Sequence, residues 1–138
     1  MIAKAFFSFL LVSCFVLGET PVIAEGDKPL PTVHGLAIPN EDIPAFEEKA
    51  LDGDPEAARR LATFYMIRGQ DAPAVYWFTI AAENGSIIGQ YNLGFALRND
   101  PDPKNRRRAV YWLKRVAQSD DKGSAKMATS LLEEISGK

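Results

Sequence analysis

The chain has 138 residues and a formal charge of −2, and 17 of its first 24 residues are apolar against about two-fifths of the remainder. That length beyond the apolar start holds one compact domain, and the near-neutral charge gives no electrostatic reason to expect nucleic acid. One cysteine and one histidine exclude a disulfide framework and a His/Cys zinc site.

Met1 to Lys4 form a short positive start, Ala5 to Leu17 are almost wholly apolar, and Val22-Ile23-Ala24 precede Glu25. This layout predicts a secretory signal peptide over 1–24, with an apolar run too short for a membrane-spanning helix. Cleavage after Ala24 would release a periplasmic protein without a membrane anchor. Leu11-Val12-Ser13-Cys14 also resembles a bacterial lipobox, which would leave a lipoprotein anchored through Cys14. From Glu25 to Glu41, Pro29, Pro31 and Pro39 with Gly26 and Gly35 leave no stretch for a regular helix and predict an extended linker. His34 stands there alone and lacks any second ligand.

Residues 42–138 repeat themselves. Ala74-Val75-Tyr76-Trp77-Phe78 recurs as Ala109-Val110-Tyr111-Trp112-Leu113 at an offset of 35, while Leu61-Ala62 and Tyr65 match Leu93-Gly94 and Leu97 at an offset of 32. The difference falls in Arg98 to Asn105 and predicts an enlarged turn there. Apolar residues within each unit step by three and four, the helical spacing. Asp54-Pro55 marks a helix start, Gly69 and Gly85 mark helix ends, and Gly123 is placed between the last two helices. Six helices are expected, at about 42–50, 55–67, 71–84, 87–98, 104–118 and 124–136. Together they predict an all-α fold, a short right-handed solenoid of about three antiparallel helix pairs whose first helix is the second member of its pair.

Leu61-Ala62, Tyr65, Ala74, Phe78 and Ala81 resemble the tetratricopeptide consensus. Leu93-Gly94 before the long turn, and Trp77 before Ala81-Ala82-Glu83-Asn84-Gly85, are similar to the Sel-one-like branch of that superfamily. Ala62 stands where that branch has glycine, and Ser119-Asp120-Asp121 separates Ala117 from the next glycine. The resemblance implies a protein-binding scaffold rather than an enzyme. In such repeats the first helix of each pair lines a concave face, which here implies partner-binding positions Arg59, Thr63 and Met66, then Tyr91, Phe95 and Arg98, then Lys126, Ser130 and Glu133. Tyr91 and Phe95, four apart, put aromatic rings where a solvated helix prefers polar residues, unless the segment from Leu30 to Ile38 folds back over them. A second candidate surface is the basic run of Lys104, Arg106, Arg107, Arg108, Lys114 and Arg115. Three arginines near a helix start oppose its dipole, so an acidic protein or phospholipid head groups would suit them, a solvated face being the plain alternative.

The chain carries no phosphate loop, metalloprotease motif or nucleophile elbow, and no cofactor or metal is expected. Glu41, Asp42, Glu47 and Glu48 read as a solvated helix start, with an improvised acid/base site the remote alternative. Asp100 and Asp102, interrupted by prolines, read as turn residues. The expected function is an exported, non-enzymatic scaffold for a protein partner. Exported proteins resembling this family include immunity proteins that neutralise a secreted toxin such as a phospholipase; a cell-envelope or peptidoglycan-associated adaptor is the alternative.

Overall fold

The structure, a computed structural model, describes residues 38–137. The expected signal segment with Cys14, His34 and nearly all of the linker lie outside the described residues. Those described form an all-helical, repeat-like fold with no strand among them. A 3-10 turn at Asn40–Asp42 leads into α1 (Ile43–Leu51), α2 (Pro55–Met66), α3 (Asp71–Glu83), α4 (Ile87–Leu97), α5 (Pro103–Ala117) and α6 (Lys122–Ser136). No helix among the described residues is long and apolar enough to cross a membrane.

Local chemistry explains where the helices begin and end. Asp54 caps α2 by accepting the Glu56 and Ala57 N–H groups, Ser86 caps α4 through Gly89 N–H, and Asp102 caps α5 through Lys104 N–H, each satisfying a donor that the helix cannot. Gly69 and Gly85 follow α2 and α3 with positive φ of 68° and 91°, the left-handed turn that ends a helix. The last junction differs from expectation. Asp121 accepts hydrogen bonds from Gly123 and Ser124 N–H, so α6 starts at Lys122 and Gly123 lies in its first turn rather than between helices.

The three-residue insertion also resolves differently. The enlarged turn narrows to residues 98–102, and α5 starts at Pro103, one residue before the expected position, because Asp102 and Pro103 together make a good helix start. The loop before it is closed from both sides. Asp100 Oδ1 accepts Asp102 N–H at 2.8 Å, and the Arg106 guanidinium donates to the carbonyls of Asp100 at 2.6 Å and Pro101 at 2.9 Å.

Each helix packs on its neighbours in the chain, most extensively in the α2/α3 and α4/α5 pairs, with lighter contacts from α1 to α3, α2 to α4 and α4 to α6. The two units bury equivalent positions. Leu61 and Leu93 are fully buried, as are Phe78 and Leu113. The Tyr76–Trp77 and Tyr111–Trp112 pairs adopt the same edge-on arrangement, with centroids 4.9 and 5.0 Å apart. One buried cluster runs from Ile38 through α1–α4 to Ala109, and a second joins Leu113 and Val116 to Ala128 and Leu131. Small residues set the close approaches. A β-carbon at Gly89 would lie 2.8 Å from Ala81 Cβ, and one at Gly94 would lie 2.6 Å from Leu113 Cγ.

Candidate functional site

α4 begins at the Ser86 cap, and its register is fixed by Leu93, which is fully buried, and by Gln90, whose buried amide donates to the Ala82 carbonyl at 3.2 Å. With those residues turned inward, Tyr91 and Phe95 project on the same side of the helix. Their rings stack with centroids 6.4 Å apart and 24° between planes. The Arg98 guanidinium lies 3.6 Å from the centre of the Phe95 ring and donates to the Phe95 carbonyl, so it holds the ring from the C-terminal side.

α6 presents the facing wall. Ala128 and Leu131 anchor it in the second cluster, which leaves Lys126, Met127, Ser130 and Glu134 along its flank. Together with Tyr91, Phe95 and Leu131 these residues line an open groove of about 400 Å³. Phe95 is 45% exposed and Met127 is 53% exposed, so an aromatic ring and a pliable thioether meet solvent across a gap with Lys126 and Glu134 at its edges. Large apolar side chains displayed to water in a concavity are suited to binding. Tyr91 is half-buried against the second cluster, whereas Ile38 packs into the first.

Of the positions inferred from the resemblance, the groove brings together Tyr91, Phe95, Lys126 and Ser130. Arg98 adjoins it; Glu134 lines it in place of Glu133. Arg59, Thr63 and Met66 on α2 do not line it. Arg59 is paired with Glu56, its Nε donating to Glu56 Oε2 at 2.7 Å. That hydrogen bond holds the guanidinium pKa above its ordinary value, against the opposing effect of burial. Thr63, expected to face a partner, is buried, and its hydroxyl donates to the Arg59 carbonyl at 2.9 Å. A β-branched residue in a helix can satisfy its hydroxyl this way, so Thr63 contributes packing rather than a contact surface. Met66 is 44% exposed at the end of α2.

On α5, Arg106 closes the preceding loop, while Arg107 and Arg108 are exposed. Met127 and Glu134 were not among the sequence candidates. Counting three residues back and four forward from Ser130 would have reached both. Among the described residues, no group of three His, Cys, Asp or Glu side chains could hold a metal ion.

No family model matches the chain, and no solved structure matches it. An F-box protein of Arabidopsis thaliana is similar, 35% identical over 80 residues, a match that covers 52% of this chain and 22% of the plant protein. The chain thus spans about a fifth of that relative's length.

Proposed function

We propose that the chain is a short right-handed solenoid of Sel-one-like repeats that acts as a non-enzymatic scaffold, exported to the cell envelope, where it holds a protein partner in the groove between α4 and α6. The observation that carries this reading is the stacked Tyr91–Phe95 pair facing Met127 across an open groove. Aromatic and methionine side chains are enriched at protein interfaces, and a few such anchors supply most of the affinity. The equivalent burial of the two units supports the repeat reading. The implied immunity role names the partner more narrowly, as a secreted toxin such as a phospholipase.

The test is to produce a secreted phospholipase encoded beside this gene in the periplasm, together with the chain or its Phe95→Ala variant. The wild type should relieve toxicity and bind the toxin, and Phe95→Ala should weaken binding by about 2 kcal/mol with unchanged helical circular dichroism. Toxicity that persists with the wild type counts against the immunity role. Equal binding by wild type and variant removes the groove from the reading.

A further inference from the structure

We propose that the outward face of α5 docks on an anionic lipid surface, separately from the groove. Lys104, Arg107, Arg108, Tyr111, Lys114 and Arg115 recur at helical spacing, with Gln118 completing the row, and all are exposed. At 1.5 Å per residue the row is about 21 Å long. The opposite face carries the buried Ala109, Leu113 and Val116, so the row is held outward by the core rather than left to side-chain freedom.

Three features mark this face as more than a solvated one. α5 contains six lysines and arginines and no aspartate or glutamate, in a chain whose formal charge is −2, so this element carries an unbalanced positive charge. Arg107 and Arg108 are exposed beyond the first turn of α5, and unlike Arg106 they are not explained by loop closure. Of the neighbouring acids, Asp100 accepts Asp102 N–H, Asp102 caps α5 and Asp121 caps α6, which leaves the exposed Asp120 just beyond the end of the row.

The same features favour a membrane over an acidic protein. A straight row of one sign, about 21 Å long, matches a uniformly negative plane, whereas protein interfaces are depleted of charge at their centres. Arginine and lysine both pair with phosphate, the first as a fork and the second as a point charge. At mid-row Tyr111 is 55% exposed beside the half-buried Trp112, an amphipathic aromatic suited to the head-group level. No α5 residue lines the groove, so both surfaces are available together.

The test is flotation of the full chain with vesicles of phosphatidylcholine alone and of equimolar phosphatidylcholine and phosphatidylglycerol. The first 24 residues are common to every variant, so the readout is the anionic-to-neutral partition ratio of each variant against the wild type. Arg107→Glu/Arg108→Glu should lower that ratio on the order of a hundredfold, and added salt should lower the wild-type ratio toward it. Lys114→Ala/Arg115→Ala, at the far end of the row, should lower it by a smaller factor, and Phe95→Ala should leave it unchanged. Far-UV circular dichroism verifies that each variant is folded. A wild-type ratio near one, or a ratio unmoved by both α5 variants, overturns the proposal. Polyglutamate binding that Arg107→Glu/Arg108→Glu abolishes, with no preference for anionic vesicles, overturns it in favour of an acidic protein.

Discussion

At Gly94 an added β-carbon would meet Leu113 Cγ at 2.6 Å, Leu113 Cδ2 at 2.9 Å and the Ala109 carbonyl oxygen at 3.2 Å. The side chain could turn away, but the backbone oxygen belongs to α5 and moves only with that helix. Gly94→Ala should therefore destabilise the fold by about 2 kcal/mol, the usual cost of overpacking a tight contact, despite alanine's better helix propensity. Ala62 holds the equivalent position in the preceding unit, fully buried, and the α2/α3 approach accommodates its methyl group. Ala62→Gly should cost about 1 kcal/mol through propensity and lost packing. Urea unfolding of the two variants checks both values; a stabilised Gly94→Ala would mean that α4 and α5 sit farther apart. The candidate site was partly legible at this scale. Tyr91 and Phe95 stand out because aromatic residues at a solvent-facing helical spacing are conspicuous in a sequence. Thr63 misled because it is buried and its hydroxyl bonds to a nearby backbone carbonyl, and such a hydrogen bond leaves no signature in periodicity.

Helix boundaries depend on a few capping side chains, which made the elements readable to within a residue or two. Two of these small shifts arose where two signals competed. Asp102-Pro103 started α5 inside what the offset alone suggested was a loop, and Asp121 drew Gly123 into α6 although glycine is an ordinary helix terminator. The Asp121 cap has a measurable consequence. The Ser124 N–H, then the Ser124 hydroxyl and the Gly123 N–H, lower its carboxyl pKa below the ordinary aspartate value, with desolvation acting in the opposite sense. A pKa depressed in the folded state means that the cap's contribution is fully present above the ordinary aspartate value and is lost as pH falls through the lowered one. Asp121→Ala should therefore lower the urea midpoint near neutrality, and the gap from wild type should close in strong acid. A gap of the same size at both pH values would show that the carboxylate does not cap α6.

At the scale of the molecule, the packing order decides how the fold comes apart. Helices contact their chain neighbours and, lightly, the next but one, so among the described residues no extensive pairing ties α6 to α1 or α2. α6 is secured by the second cluster, where Ala128 and Leu131 meet Leu113 and Val116, whereas α2 and α3 share the larger first cluster with α1, α4 and Ala109. Chains with nearest-neighbour packing open from their less supported elements. Amide exchange of α6 should accordingly be faster than that of α2 and α3. Leu131→Ala, which removes most of a side chain only 7% exposed, should cost about 2 to 3 kcal/mol. That loss should speed exchange in α6 far more than in α2. Because α6 forms one wall of the groove, the same substitution should weaken partner binding even though Tyr91 and Phe95 are intact. Uniform exchange along all six helices, rising equally in Leu131→Ala, would instead describe a single cooperative unit, and the groove would then be as rigid as the core.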